Sequence, residues 1–203
     1  MIYRENKDKK YMDEEAYKFL KKCKNILDVG CGFGRFIKQN PRKIEGIDIN
    51  KNFVAYCKRR GFKTKKGNVL NLPFKSNSFE GVHCSHVIEH LTPDNALKLL
   101  KEIKRVLKHN GIFVLRTPYF HAGFFSTFDH IKPYYPKAIE YILCNSDNIQ
   151  DKYNKIGGFK TIDLYNEWDF NLRVLARGIL PLHLKGYMLV LKKVIKWVGL
   201  MIL

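Results

Sequence analysis

Short apolar runs alternate with amphipathic segments from the start of the chain to about residue 118. The apolar runs predict strands over residues 26–29, 43–49, 62–66, 80–84 and 112–115. Apolar positions at helical spacing predict helices over residues 12–22, 51–60 and 94–108, and a further helix is expected to begin at Phe36. Because strands and helices alternate, this pattern predicts an α/β fold with a doubly wound, mostly parallel sheet.

The pattern is less regular beyond residue 118. A helix is predicted over residues 136–143 and a sixth strand over residues 157–164. Residues 186–193 have two interpretations: a closing strand, which we favour because the sheet needs one, or part of a helix over residues 184–203 that lies on a membrane surface. The apolar tail at residues 194–203 is a candidate membrane contact, dimer interface or core segment.

Composition restricts the class of protein. The chain has 203 residues, 45% of them hydrophobic and 28% charged, which is typical of one globular domain. The formal net charge of +18 indicates attraction to nucleic acid, an anionic membrane or a phosphorylated substrate, unless it reflects a generally lysine-rich proteome. No signal peptide is visible, and neither residues 171–180 nor the tail reach the ~20 apolar residues of a spanning helix. We therefore expect a cytoplasmic protein, or one resting on the inner membrane surface.

The five cysteines are scattered, without a C-x-x-C pair. This spacing argues against a zinc site and a disulfide framework, so no metal is predicted and a reducing compartment is expected.

A glycine-rich loop follows the first predicted strand. Gly30, Gly32 and Gly34 stand at every second position, with Asp28 two residues ahead. This G-x-G-x-G spacing differs from the G-x-G-x-x-G of dinucleotide sites, because Arg35 occupies the position that the third glycine of that motif needs. Asp48 ends the second predicted strand, where a carboxylate can accept both ribose hydroxyl hydrogens. The pair predicts a site for an adenosine-bearing ligand without a pyrophosphate.

Five segments in register carry a resemblance: residues 28–34, 46–48, 67–74, 78–82 and 103–111. In order and spacing they are similar to the successive motifs of the class I S-adenosylmethionine-dependent methyltransferases, most closely the small-molecule, glycan and lipid branch. The resemblance implies S-adenosyl-L-methionine as cofactor and a Rossmann-like sheet of seven strands whose last strand is antiparallel. The length predicts one domain over residues 1–203, which we divide into an N-terminal helix to residue 23, a cofactor-binding half over 24–118 and a substrate-side half over 119–203.

The family's motifs assign cofactor-binding roles to nine residues: Asp28, Gly30, Cys31, Gly32, Gly34, Asp48, Ile49, Asn68 and Val69. Asn68 stands where the family commonly has an aspartate at the adenine amino group, and its side-chain carbonyl can accept the same N–H.

Two histidines are candidate general bases. His86 follows the fourth predicted strand at the carboxyl edge, where ligands of open α/β sheets collect, although it could instead line the pocket or cap a turn. His130 lies in an aromatic segment that resembles the substrate side of glycan, lipid and quinone methyltransferases. The alternative for His130 is a structural histidine paired with Asp129. His90 is expected to pack beneath the loop.

These observations favour methyl transfer to a small-molecule, glycan or lipid-linked acceptor, through O- or C-methylation. The chain lacks the Asn/Asp-Pro-Pro-Tyr/Phe stretch of base-amino methyltransferases and the Pro-Cys pair of pyrimidine enzymes. Two alternatives remain open: an RNA methyltransferase, suggested by the charge, and a non-catalytic cofactor-binding member.

Overall fold

The computed structural model describes residues 7–120, 124–144, 156–168 and 184–193. The helices are α1 (Lys7–Leu20), α2 (Lys51–Arg59), α3 (Pro93–Val106) and α4 (Pro136–Leu143). The strands are β1 (Ile26–Val29), β2 (Ile44–Asp48), β3 (Thr64–Lys66), β4 (Phe79–Ser85), β5 (Leu107–Pro118), β6 (Phe159–Trp168) and β7 (Leu184–Lys193). The predictions on residues 121–123, 171–180 and 194–203 lie outside the described residues.

The strands form one sheet in the order β3-β2-β1-β4-β5-β7-β6. Neighbours from β3 through β5 pair in parallel, while β7 pairs antiparallel with both β5 and β6. The predicted α/β fold with a mostly parallel sheet is confirmed. From the central β1 the chain first moves outward to β3 and then returns to β4 on the other side. This reversal creates a crevice at the carboxyl ends of β1 and β4, where such sheets bind ligands.

Alternate residues of β1 face opposite sides of the sheet, as the pleat requires. Ile26 packs in a cluster with Leu20 of α1, whereas Leu27 packs in a second cluster with Ile103 of α3. Helices therefore cover both faces, and all four residues of β1 are buried. An acid in this strand, at Asp28, is consequently held in a rigid and largely dry position.

The prediction of a helix beginning at Phe36 is wrong. The segment contains only a 3₁₀ turn over Ile37–Gln39, followed by Asn40 in an extended conformation with φ of −161°. Asn40 precedes Pro41, and proline disfavours the α conformation in the residue before it. The chain must also re-enter the sheet at Ile44, which leaves no room for further turns. The glycine loop consequently lacks the long helix N-terminus that the sequence suggested.

Strand β5 is longer than predicted, because it begins directly after α3 at Leu107 rather than at residue 112. Its pairing with β4 shifts register between the Phe79–Leu107 and Gly81–Ile112 pairs. Asn110, with φ of +62°, lies within the extra residues of this bulge. Among the helices that the structure describes, every one is too short or too polar to span a bilayer.

Candidate functional site

A cavity of about 710 Å³ opens at the carboxyl ends of β1, β2 and β4. Every predicted site residue except Gly34 and His130 lines it: Asp28, Gly30, Cys31, Gly32, Asp48, Ile49, Asn68, Val69 and His86. Residues separated by up to 58 positions in the sequence thus meet around one volume.

The loop after β1 needs glycine at two positions for different reasons. Gly30 and Gly32 have φ of +72° and +51°, in the left-handed region that disfavours a Cβ. A Cβ on Gly30 would overlap Cγ2 of Val87, whereas a Cβ on Gly32 would meet nothing within 4 Å. Gly30 is therefore packed against the protein, and Gly32 leaves open space on the cavity wall. This open space fits the close approach of a ligand that the motif predicts.

Gly34 was predicted to bind the cofactor, but it does not line the cavity. A Cβ there would lie 2.7 Å from Cδ2 of Phe62 and 3.0 Å from Sγ of Cys57. Because Gly34 has no side chain, Cys57 of α2 and Phe62 can pack closely against the loop. The third glycine of the motif, Gly34, thus allows close packing against the loop rather than contact with the cavity.

Asp48 is fixed by two backbone hydrogen bonds. Its Oδ2 accepts from the N–H of Gly32 at 2.8 Å, and its Oδ1 accepts from the N–H of Asn50 at 2.8 Å. Each carboxylate oxygen keeps a further lone pair for an incoming hydroxyl. The Asp48 carboxylate is thereby held in one orientation at the cavity wall, as the predicted contact with ribose hydroxyls requires.

Asn68 and Val69, predicted to bind the adenine, line the cavity together with Ile49, which is 65% exposed. The Oδ1 atom of Asn68 accepts the N–H of Leu70 at 2.9 Å, which fixes the amide in a local turn. The second lone pair of this oxygen remains suited to an exocyclic amine. The exposed Ile49 supplies an apolar surface for a planar base.

His83, in the interior of β4, is a site residue that the sequence analysis missed. Its Nδ1–H donates to Oδ1 of Asp28 at 2.7 Å, and its ring stacks on Phe36 at 3.7 Å between centroids. His83 lines the cavity, is 1% exposed, and its Nε2 has no hydrogen-bond partner in the described part of the chain. A buried polar atom at a cavity wall fits a site completed by a polar ligand.

Helix α1 also contributes to the cavity, through Asp13. Its carboxylate is fully buried and accepts from Nη2 of Arg35 at 3.2 Å and from Nη1 of Arg116 at 3.1 Å. Asp13 and Arg35 both line the cavity beside the glycine loop. The cation of Arg35 is suited to the carboxylate of an amino-acid ligand. The sequence analysis predicted this helix but assigned no site residue to it.

His86 lines the cavity directly after β4. Its backbone has φ of +55°, uncommon for a residue with a side chain, and its N–H donates to the carbonyl of Arg116 at 3.0 Å. The Nδ1 atom of His86 lies 3.1 Å from Oε1 of Glu89, whose Oε2 accepts from the hydroxyl of Thr117 at 3.1 Å. A strained backbone that aims an imidazole at a carboxylate is typical of functional sites.

The carboxylate of Glu89 is completely buried. Burial is the largest single influence and raises its pKa, but the hydrogen bond and charge of His86, with a further contribution from His90, together lower that pKa below its ordinary value. Glu89 is therefore an anion at neutral pH inside the protein.

The remaining histidines of this edge differ from the expectations. His90 lines the cavity rather than packing beneath the loop, and its Nδ1 lies 3.2 Å from Oδ2 of Asp129. Asp129 is thus the partner of His90, and not of His130. His130 lies behind His90, with 4.8 Å between ring centroids, and its Nδ1–H donates to the carbonyl of Phe124 at 2.8 Å. The structure therefore gives His130 contact with His90 but no place on the cavity wall.

Two thiols lie close to the backbone of the glycine loop, one from Cys31 in the loop itself and one from Cys57 of α2. The thiol of Cys57 donates to the carbonyl of Gly32 at 3.3 Å, and Sγ of Cys31 lies 4.0 Å from the same oxygen. Burial, followed by the charge of Asp28, raises the pKa of both thiols. Both cysteines are consequently protonated packing groups at neutral pH.

Comparison with known proteins agrees with this geometry. Residues 27–115 match the sequence profile of the family described as Methyltransferase domain. The uncharacterized protein MJ0638 of Methanocaldococcus jannaschii is 40% identical over 111 residues, which are 50% of this chain and 46% of that protein. The tRNA (carboxymethyluridine(34)-5-O)-methyltransferase alkbh8 of Xenopus tropicalis is 32% identical over 88 residues, which are 42% of this chain and 14% of that protein. The chain thus spans less than half the length of these curated relatives.

A solved structure shows the same fold. The crystal structure of a SAM dependent methyltransferase from Archaeoglobus fulgidus superposes with a TM-score of 0.67 at 22% identity, covering 90% of this chain and 93% of that one. The matched domain contains β1, the glycine loop, Asp48 and β4, which build the cavity. S-adenosyl-L-methionine is the cofactor that this loop, carboxylate and cavity fit. Residues 27–115 therefore form a methyltransferase domain, and the chain has the α/β fold of the S-adenosylmethionine-dependent methyltransferases.

Proposed function

We propose that this protein transfers a methyl group from S-adenosyl-L-methionine to a hydroxyl of a small-molecule, glycan or lipid-linked acceptor, with His86 as general base. When bound, the cofactor supplies an electrophilic methyl group on a sulfonium sulfur. Asp48 binds the ribose hydroxyls, Asn68 and Ile49 hold the adenine, and Arg35 holds the methionine carboxylate. Most of the rate enhancement then comes from positioning the acceptor in line with the methyl group.

The pair formed by His86 and Glu89 is the observation that carries the proposal. Because the Glu89 carboxylate can only accept at neutral pH, Nδ1 of His86 carries the proton at their 3.1 Å contact. Nε2 is then the basic nitrogen, which can take the acceptor proton as the methyl group arrives. The buried carboxylate holds the imidazole in one tautomer, the arrangement in which a third group orients a catalytic base.

The surroundings of the acceptor side favour an apolar acceptor. The segment that supplies Asp129 to the cavity also presents exposed aromatic rings, with Phe125 59% and Phe128 fully exposed. Exposed apolar side chains grouped in one segment are typical of surfaces that bind apolar ligands or membranes. A lipid-linked or aromatic acceptor, presented at an anionic membrane surface that attracts the basic chain, suits this arrangement.

The test of cofactor binding compares Asp48→Asn with Asp94→Asn, a control at an exposed helix position. Calorimetry should show affinity for S-adenosyl-L-methionine reduced more than about tenfold in Asp48→Asn and unchanged in the control, because the variant weakens the contact with both ribose hydroxyls. Unchanged affinity in Asp48→Asn would contradict the assignment of the ribose carboxylate.

The test of catalysis uses radiolabelled S-adenosyl-L-methionine and a cell extract divided into organic-soluble, glycan, nucleic-acid and protein fractions. Label should enter the organic or glycan fraction, and His86→Gln should lower turnover by about 10²-fold or more without changing cofactor affinity. The control is His109→Gln, which alters an exposed histidine on β5. Equal turnover in both variants would exclude His86 as the base.

An RNA acceptor is the second candidate, supported by the net charge of +18 and by the similarity to a tRNA methyltransferase. Neutralising phosphates with lysines releases counterions, so affinity for RNA would fall steeply with salt. Label that is removed by ribonuclease would favour this candidate over the lipid or glycan acceptor.

A further inference from the structure

Three potential metal ligands meet behind the acceptor side of the cavity. Glu89 and His90 come from the turn after β4, and His130 comes from the segment after β5. One ligand atom from each of these residues lies within 4.8 Å of the other two. The sequence analysis considered only cysteine ligands and predicted no metal. The folded structure brings these three residues together.

Both histidines are held as metal-binding histidines usually are. Nδ1 of His130 donates to the carbonyl of Phe124 at 2.8 Å, and Nδ1 of His90 contacts Oδ2 and the carbonyl of Asp129, both at 3.2 Å. Carbonyl and carboxylate oxygens accept, so the proton lies on Nδ1 and the lone pair on Nε2. A hydrogen bond of this kind fixes the tautomer and the ring orientation of metal ligands.

Backbone contacts hold the two segments together independently of these side chains. The N–H groups of Ile131 and Lys132 donate to the carbonyl of Glu89 at 2.8 Å and 3.3 Å. The ligand-bearing residues on either side of this junction are therefore placed at a fixed separation. A preorganised arrangement of this kind lowers the free energy needed to assemble a site.

The complete burial of the Glu89 carboxylate is a second, independent indication of a cation. Its side chain is completely buried, and its oxygens contact Nδ1 of His86 and the hydroxyl of Thr117, neither of which is a permanent cation. Buried carboxylates are normally paired with a cation or coordinate a metal. Each oxygen has a further lone pair with which to coordinate an ion.

We propose that Glu89, His90 and His130 bind one divalent first-row transition-metal ion, such as Mn²⁺, Fe²⁺ or Zn²⁺. Two imidazoles and one carboxylate suit these ions better than Mg²⁺ or Ca²⁺, which prefer oxygen ligands only. Three protein ligands leave coordination positions open. Because His90 lines the cavity, an acceptor oxygen can occupy such a position, and this role in holding the acceptor rests on the proposed function.

The binding test uses the full chain after treatment with a chelator, and Co²⁺ alone as probe. Titration should produce visible absorption that saturates at one equivalent, with Zn²⁺ displacing Co²⁺. His130→Gln should weaken Co²⁺ binding by more than about tenfold, since a ligand is lost, and His109→Gln should not. Because His130 does not line the cavity, calorimetry with S-adenosyl-L-methionine should give unchanged affinity, which shows that the variant is folded.

The outcomes separate the metal site from the methyl transfer. Absence of saturable Co²⁺ binding, or binding that persists unchanged in both His130→Gln and Glu89→Gln, would overturn the site. Neither measurement needs an acceptor, so both stand if methyl transfer is not found. If methyl transfer is found, removal of the metal should slow it and restoration should recover it. An unchanged rate without metal would overturn the role in holding the acceptor.

Discussion

Replacing Gly30 or Gly32 by alanine should damage two different properties of the protein. Both residues have positive φ, +72° and +51°, so alanine at either position costs about 1–2 kcal/mol of folding free energy. Gly30→Ala also forces its Cβ against Cγ2 of Val87, and overpacking of this kind adds about 1–3 kcal/mol. Gly32→Ala has open space around its Cβ and carries no such addition.

The difference in unfolding free energy between the two variants is therefore expected to be about 1–3 kcal/mol. With an m value of about 2 kcal/mol per molar urea, the unfolding midpoint of Gly30→Ala should lie about 0.5–1.5 M below that of Gly32→Ala. Circular dichroism during urea unfolding measures this difference. Val87→Ala, combined with Gly30→Ala, should recover the steric part as a coupling free energy of about 1 kcal/mol or more.

Cofactor affinity should show the opposite order. The added methyl group of Gly32→Ala projects into open space on the cavity wall, so it should weaken binding of S-adenosyl-L-methionine by about tenfold or more, or 1.4 kcal/mol. Folded Gly30→Ala should bind within about threefold of the original affinity. Equal stability of the two variants, absence of coupling to Val87, or unchanged affinity in Gly32→Ala would refute the reasoning.

Three further substitutions test contacts around the site. Hydrogen bonds from Arg105 lower the pKa of Glu102 below its ordinary value of 4.5. The ionised carboxylate therefore stabilises the fold above about pH 4.5, and this stabilisation is lost as the pH falls through the lowered pKa. The stability advantage over Glu102→Gln, measured by thermal unfolding, should therefore shrink between about pH 5 and pH 3, and a constant difference would contradict the assignment. Asp13→Asn removes the carboxylate shared by two arginines, including the buried Arg116. The free energy of unfolding, measured in urea, should fall by about 3 kcal/mol. A loss below about 1 kcal/mol would show that the ion pairs contribute little. Thr92→Ala removes the N-cap of α3 and should lower unfolding free energy by about 1 kcal/mol, whereas Thr92→Ser should retain most of it.

Local signals were sufficient to predict which residues near the glycine loop meet at the cavity, apart from Gly34. Asp28 interrupts a buried apolar run that ends at Val29, the glycines follow at fixed spacing, and Asp48 ends the next run. These residues act through backbone conformation and position at a strand end, which neighbouring residues encode. The prediction of a helix at Phe36 was wrong for an equally local reason. The extended Asn40, which precedes Pro41, ends the turn after three residues.

Long-range contacts account for the residues that were missed. His83 reads as an ordinary position of a strand, and only the pairing of β4 with β1 places it opposite Asp28. Asp13 and Arg116 are 103 positions apart, so no spacing rule connects them. The partner of His90 is likewise set by the return of the chain after β5. Such pairs depend on packing between elements, which the periodicity of one segment does not encode.

The protonated thiols of Cys31 and Cys57 at the glycine loop have a practical consequence for experiments on this protein. Thiolate is the nucleophile in alkylation, so buried cysteines of raised pKa react slowly with iodoacetamide while the fold is closed. Labelling of Cys31 and Cys57 therefore reports how often this part of the fold opens. The rate of their alkylation, followed by peptide mass spectrometry, therefore measures the rate of local unfolding at the glycine loop without an introduced label.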